Sequence, residues 1–166
     1  YDRILSMDTD MVILPNCPNP FEEVPEHKIG SVLEDKGSRE MDRVNIMLQI
    51  QSKYGMVGWT SGYINTGFFI VSKQHKDIFQ KINGEYWTSI GVDDIHIGYL
   101  IHKLGFEVHE LSYKWNHMSM FSEEWNGSPD RFESYVIHYA GAGVYNPGVR
   151  SKEEQALEDL NVIYCG

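Results

Sequence analysis

The chain has 166 residues, 42% of them hydrophobic and 23% charged, and a net charge of −10, the composition of a globular domain with room for a sizeable core. That acidic balance argues against a nucleic-acid or anionic-membrane partner, each of which needs a basic face, and no apolar stretch approaches the ~20 residues that span a bilayer. Two cysteines, Cys17 and Cys165, are too few for a disulfide framework and lack a metal-binding spacing.

The chain opens on Tyr1 and runs straight into a strand, so it reads as an excerpt of a longer protein. Residues 3–14 form that strand, broken by Asp8-Thr-Asp10. Residues 15–30, with Pro15, Pro18, Pro20 and Pro25, read as a loop. Ser38 is placed to cap a helix running to about Lys53, with Met41, Val44, Leu48 and Gln51 or Ser52 at helical spacing. Tyr63–Val71 reads as a strand with Gly67 inside it, followed by a helix from about Gln74 to Ile82. Asp93 or Asp94 starts another helix, with Ile97, Leu100, Ile101 and Leu104 on its apolar face and Gly105 as its stop. Phe106–Leu111 is a strand, 118–134 a loop and Tyr135–Tyr139 a short strand. Ser151-Lys-Glu-Glu154 is a capping box for a closing helix. Strands mixed with crossing helices imply α/β or mixed α+β architecture around one sheet, within a single domain over 1–166.

The acidic pair carries the strongest chemical signal. Side chains at i and i+2 of a strand share a side. Two carboxylates roughly 5–6 Å apart repel by about 3 kcal/mol at an effective dielectric near 20. A hard divalent cation offsets that repulsion; the plainer alternative is a strand-end turn with two exposed aspartates. Gly67 inside a strand marks either a bulge or a close ligand approach, and Asn65 beside it offers both donor and acceptor groups. One of Asp93 and Asp94 suits an N-cap, which leaves the other as a base or a hydroxyl-orienting group. His138, at a strand end before Gly141, would complete a metal shell and favour Mn²⁺ over Mg²⁺; His117 competes for that role. The other histidines, at 27, 75, 96, 102 and 109, show no zinc-like pairing.

Taken in order, Asp8-Thr-Asp10, Asn65-Thr66-Gly67, Ser112-Tyr-Lys-Trp115-Asn116 and Ile137-His138-Tyr-Ala-Gly141 resemble the GT-A-fold glycosyltransferases, most closely the glycogenin and lipopolysaccharide-galactosyltransferase-like group. The resemblance implies a GT-A-like mixed sheet flanked by helices. It implies Mn²⁺ or Mg²⁺ held by Asp8, Asp10 and His138 against the diphosphate of a nucleotide sugar, a UDP-sugar by family habit. Asn65, Thr66 and Gly67 would line the sugar pocket, with Trp115, Asn116 and Gly141 nearby. Asp93 or Asp94 would face the transferred sugar or a carbohydrate or other hydroxyl acceptor.

The chain departs from that pattern in three places. Asp93-Asp94 stands where the group has Asp-Gln or Glu-Gln, and Asp93-Asp-Ile-His-Ile-Gly-Tyr-Leu resembles the Fringe-like transferases instead. The Lys-Pro-Trp that often follows the histidine motif is missing, which leaves Arg150 as a phosphate contact. The nucleotide-binding βαβ units that precede the Asp-x-Asp are absent, so the chain would be the metal and acceptor side of such a fold and would bind nucleotide sugar weakly. Two other functions fit parts of the pattern. A haloacid-dehalogenase-like phosphatase would use Asp8 as nucleophile, and a non-catalytic sugar-binding module would keep the acidic pair as a vestige.

Overall fold

The computed structural model describes residues 1–141, 143–145, 148 and 151–165. In chain order the elements are β1 (Arg3–Met7), β2 (Met11–Ile13), a single helical turn α1 (Pro20–Glu23), β3 (Ile29–Leu33), α2 (Glu40–Tyr54), β4 (Ile64–Ser72), α3 (Val92–Leu104), β5 (Val108–Glu110), β6 (Val136–His138) and α4 (Lys152–Cys165). The architecture is α/β, with a mixed sheet flanked by helices. Contacts divide the chain into two compact units, Tyr1–Met7 with Pro20–Leu111, and Asp8–Asn19 with Ser112–Gly166. Among the described residues no helix is long and apolar enough to cross a membrane.

The first unit is built on a four-stranded sheet in the order β1-β4-β3-β5. β4 runs antiparallel to both neighbours, and β3 pairs with β5 in parallel. β4 is buried at every residue but Thr66, as a central strand covered on both faces must be. Phe69 and Val71 of β4 share a core with Ile46, Met47 and Ile50 of α2 and with Ile95, Tyr99 and Ile101 of α3. Residues Ile95 to Ile101 of α3 are all buried, so this helix is enclosed over its middle turns rather than amphipathic.

Gly98 lets Trp59 close against α3. A Cβ built at Gly98 would lie 2.4 Å from Trp59 Cη2 and 2.6 Å from its Cζ2, and Trp59 is fully buried with no room to withdraw. Gly98→Ala is therefore expected to destabilise the fold by up to about 2 kcal/mol. Overpacking costs roughly 1–3 kcal/mol, and the alanine recovers about 1 kcal/mol of helix propensity. Urea denaturation measures the difference; a stabilised variant would show that Trp59 has slack.

The second unit centres on the antiparallel ribbon β2–β6, in the register Met11↔His138, Val12↔Ile137 and Ile13↔Val136. Residue 117 bridges to Ile137 in parallel on the other side of β6. Leu14, Ile137 and Tyr139 form its small core, with Val12, Phe132, Tyr145, Ala156 and Ile163 packed on it. Asp159 on α4 is buried beneath this core. It accepts hydrogen bonds from Arg131 Nε (2.8 Å) and Nη2 (2.7 Å), Tyr139 Oη (2.7 Å) and Gln155 Nε2 (2.9 Å).

Several sequence expectations shift. The strand over 3–14 is two strands in two different sheets, because Asp8-Thr-Asp10 forms a turn between them. The 15–30 loop contains α1 and the first residues of β3. Ser38 lies in a 3-10 turn (Gly37–Arg39), and Arg39 stands at the N-cap of α2 without a side-chain capping hydrogen bond. The buried face of α2 is Ile46, Met47, Ile50 and Gln51, while Met41 and Leu48 are 71% and 42% exposed. The helix at 74–82 is a 3-10 helix over Lys73–Phe79. The capping box forms as expected: Glu154 N donates to Ser151 Oγ (3.2 Å) and Ser151 N to Glu154 Oε2 (3.1 Å). Gly105 ends α3 in a left-handed conformation at φ 73°, where glycine carries no Cβ penalty.

Candidate metal centre

The ribbon register brings the triad together. Met11 pairs with His138, and Tyr139 N donates to the Asp10 carbonyl at 3.0 Å, so Asp10 and His138 stand side by side at the ribbon's end. The turn at Thr9-Asp10 folds Asp8 back onto the same place. His138 Nε2 lies 3.3 Å from Asp10 Oδ1 and 3.6 Å from Asp8 Oδ2. One ligand atom from each of Asp8, Asp10 and His138 falls within 4.8 Å of the others. Neighbouring ligands on one octahedral ion, at bond lengths of roughly 2.1 Å, sit about 3 Å apart. The triad therefore has the spacing and the oxygen-and-imidazole donor set to hold a metal ion.

His138 is almost fully buried and its orientation is set from behind. Its Nδ1 lies 2.7 Å from Asn116 Oδ1, an acceptor, so Nδ1 carries a proton and Nε2 is the nitrogen turned to the carboxylates, where the deprotonated ring would offer its lone pair to an ion. Asn116 is itself fully buried at the end of a 3-10 turn (Tyr113–Trp115) whose start is capped by Ser112. His117, the competing ligand, is excluded by its own bonds. Its Nδ1 meets Ser134 Oγ at 2.6 Å and its Nε2 meets Ser122 Oγ at 2.9 Å. Burial pushes its pKa down to about 4, with Arg131 adding to the effect, so it is a neutral structural imidazole.

Lys152, in the first turn of α4, donates from Nζ to Asp10 Oδ2 at 2.8 Å. Burial raises the Asp10 pKa, but the Lys152 hydrogen bond and the charges of His138 and Lys152 together bring it below its ordinary value. Beside this pair opens a cleft of about 470 Å³, walled by Thr9, Met11, Val12, Ala156 and Leu157. Trp115 is buried against Tyr135 at a ring distance of 4.8 Å, and Gly141 is exposed in the turn after β6 with φ 60°. Arg150 lies outside the described residues.

The remaining predicted site residues gather in the first unit. Asn65 Oδ1 accepts from Gly67 N at 2.9 Å, and its Nδ2 donates to Glu34. Glu34 is buried after β3 and is held by Arg39 Nη1 (3.1 Å) and Arg43 Nε (2.8 Å). Neither Asp93 nor Asp94 is an N-cap: Gly91 is, and both aspartates fall in the first turn of α3, where the helix dipole favours negative charge. Asp94 Oδ1 accepts from Thr66 N and Thr66 Oγ1, each at 2.7 Å, and Asp93 Oδ2 lies 3.1 Å from the same Thr66 hydroxyl. Glu34, Arg39, Arg43 and Lys152 were not marked as site residues by sequence; only the i, i+4 spacing of Arg39 and Arg43 hinted at a shared partner.

Asp94 is pushed up to about 7, chiefly by burial, with Glu34 and Asp93 adding to the rise and the Thr66 bonds opposing it. Its folded value exceeds the unfolded one, so the folded chain holds this proton more tightly between about pH 4 and 7, and stability falls as pH rises through that window. The whole difference would be worth roughly 4 kcal/mol at 1.36 kcal/mol per pH unit; for a residue that keeps some solvent contact, on the order of 2 kcal/mol is expected. Asp94→Asn should flatten this dependence, read from urea denaturation at about pH 5 and pH 8. An unchanged slope would place the titration elsewhere.

Comparison of the chain with protein-family models and with curated protein sequences finds no match.

Proposed function

We propose that this chain carries the metal site of a glycosyltransferase, which moves a sugar from a nucleotide-diphosphate donor to an acceptor hydroxyl. The observation that carries the reading is the triad: two carboxylates and one pre-oriented imidazole converging at the end of a ribbon. Asp8, Asp10 and His138 would hold Mn²⁺, or Mg²⁺ with a poorer match to the imidazole. When bound, the ion neutralises charge on a leaving diphosphate.

Lys152, paired with Asp10, is a second cation at the same place and takes the phosphate role for which the sequence offered Arg150. Asn65, fixed by Glu34 and Gly67, serves the sugar hydroxyls. Asp94, whose carboxyl is pushed up to about 7 by burial, has the proton affinity of a general base for an acceptor hydroxyl. An imidazole aimed at both carboxylates has a role in metal binding and none in a phosphatase that uses Asp8 as nucleophile.

Calorimetric titration with Mn²⁺, followed by UDP-sugars with and without the ion, tests this. Saturable Mn²⁺ binding and weak, Mn²⁺-dependent UDP-sugar binding are expected. UDP-sugar binding that is indifferent to a chelator would sink the proposal.

A further inference from the structure

A second cleft, in the first unit, is shaped for a sugar ring. It has a volume of about 220 Å³ and is lined by Phe79, Tyr86, Trp87, Val92, Asp93 and His96. Cavities for drug-sized ligands run to roughly 300–1,000 Å³, so this one has room for a single ring. Phe79 and Tyr86 are 42% and 52% exposed. Neither ring is enclosed in the core, and Lys81 Nζ lies 5.6 Å from the Tyr86 ring centroid.

The cleft is preorganised by His96. Its Nδ1 accepts from Trp87 N at 3.2 Å, so Nε2 carries the proton and donates to Gln80 O at 2.8 Å. One buried imidazole thus ties both ends of segment 80–87 to α3. Trp87 Nε1 is in turn anchored on Ile90 O at 2.9 Å, and Tyr86 leans on the His96 ring with centroids 5.2 Å apart. The tryptophan and histidine polar atoms are spent on the backbone, which leaves the wall apolar. The exposed Asp93 carboxylate is the acceptor at its rim, and it is joined through Thr66 to Asp94.

An aromatic wall with a carboxylate at one edge matches a ligand that is apolar on one face and hydroxylated around its rim. A neutral pyranose is such a ligand: its axial C–H groups lie on an aromatic ring while its equatorial hydroxyls donate outward. The Asp93 carboxylate, which already accepts from Thr66 Oγ1 at 3.1 Å, has further lone pairs for a ligand hydroxyl. We infer that this cleft binds a neutral hexose residue, with its apolar face on Tyr86 and Phe79 and a hydroxyl on Asp93. Its use as the acceptor subsite rests on the transferase proposal; its existence as a sugar site does not.

The test is ligand-observed NMR and calorimetry on the whole chain with methyl glycosides of neutral hexoses, using indole and cyclohexanol as apolar probes. At least one glycoside should show saturation transfer strongest on the C–H protons of one ring face, and should shift the resonances of Tyr86, Trp87 and Asp93. Tyr86→Ala should weaken that glycoside about tenfold, equivalent to about 1.4 kcal/mol, and Asp93→Asn should weaken it too. Phe79→Ser is an independent second variant at an exposed position. The inference is overturned if no glycoside shifts these resonances, if the apolar probes bind and the glycosides do not, or if Tyr86→Ala and Phe79→Ser leave affinity unchanged. Mn²⁺ titration of the same sample separates the two proposals. Glycoside failure beside intact Mn²⁺ binding removes the sugar site alone, while Mn²⁺ failure beside intact glycoside binding removes the metal reading and supports the sugar site.

Discussion

Asp10→Ala should abolish saturable Mn²⁺ binding, whereas Asn116→Ala should weaken it roughly 10–100-fold without abolishing it. The two substitutions act at different distances from the ion. Asp10 offers a ligand oxygen 3.3 Å from His138 Nε2, so its loss leaves a carboxylate and an imidazole that cannot close a shell alone. Asn116 touches only the far nitrogen of His138, at 2.7 Å; without it the imidazole is free to rotate or to present the wrong tautomer. Asn116→Asp keeps an acceptor at that position and should recover most of the affinity, which separates a positioning role from a general loss of folding. Calorimetry and Mn²⁺ electron paramagnetic resonance read both effects. Retention of full affinity in Asp10→Ala would remove the triad as the binding site.

The second large effect concerns stability. Asp159→Ala should cost about 3 kcal/mol, at the low end of the range for a buried pair, because the guanidinium it strands is only partly buried. Arg131 makes two bonds to Asp159 at 2.8 and 2.7 Å and lies over the Phe132 and Tyr145 rings at 4.5 and 5.0 Å, so losing the carboxylate removes its two charge-assisted bonds and leaves only ring contacts and partial solvent. Burial raises the Asp159 pKa, but the Arg131 and Tyr139 bonds outweigh it and hold the group below its ordinary value. The contribution is therefore complete above the unfolded carboxylate pKa and fades as pH falls through the lower folded value. Replacing both partners, Arg131→Met with Asp159→Leu, should cost much less than the two single changes added together. Urea denaturation followed by circular dichroism measures the cycle, and a double variant as unstable as the sum would show that the ion pair is not the relevant unit.

How far the sequence revealed this molecule depends on what each segment's neighbours do. β4 was legible because Ile-Asn-Thr-Gly-Phe-Phe-Ile-Val is an apolar run enclosed on both faces. α4 was legible because its capping box is a purely local pattern. β3 was not, since Ile29-Gly-Ser-Val-Leu33 has too few apolar residues to signal burial. α2 was found with its face partly misplaced: Gln51, offered beside Ser52, is buried, whereas Met41 and Leu48 are exposed and Ile46, Met47 and Ile50 face the core. The Gln51 side chain is fully used, donating to Met47 O and Trp59 O and accepting from Val57 N and Trp59 N.

The site followed the same division. Asp8 and Asp10 stood out as charges inside an apolar run, yet that run hid the turn that separates β1 from β2. The choice between His138 and His117 was beyond the sequence, since it rests on which serines and which asparagine surround each ring. Asp94 was marked as a base or a cap. Its raised pKa comes from enclosure and from neighbours distant in sequence, Glu34 foremost among the charges.

The ribbon that presents the triad has one further consequence. It is two strands of three residues each, and a two-stranded ribbon of this length has little stability of its own. An ion bridging Asp8 and Asp10 on one side to His138 on the other would clip the ribbon shut at its end, so part of the binding free energy would be spent in closing it. Amide protons of Val12, Ile137 and Tyr139 should then exchange with solvent more slowly once the ion is bound. A chelator would then act on this protein as a local denaturant.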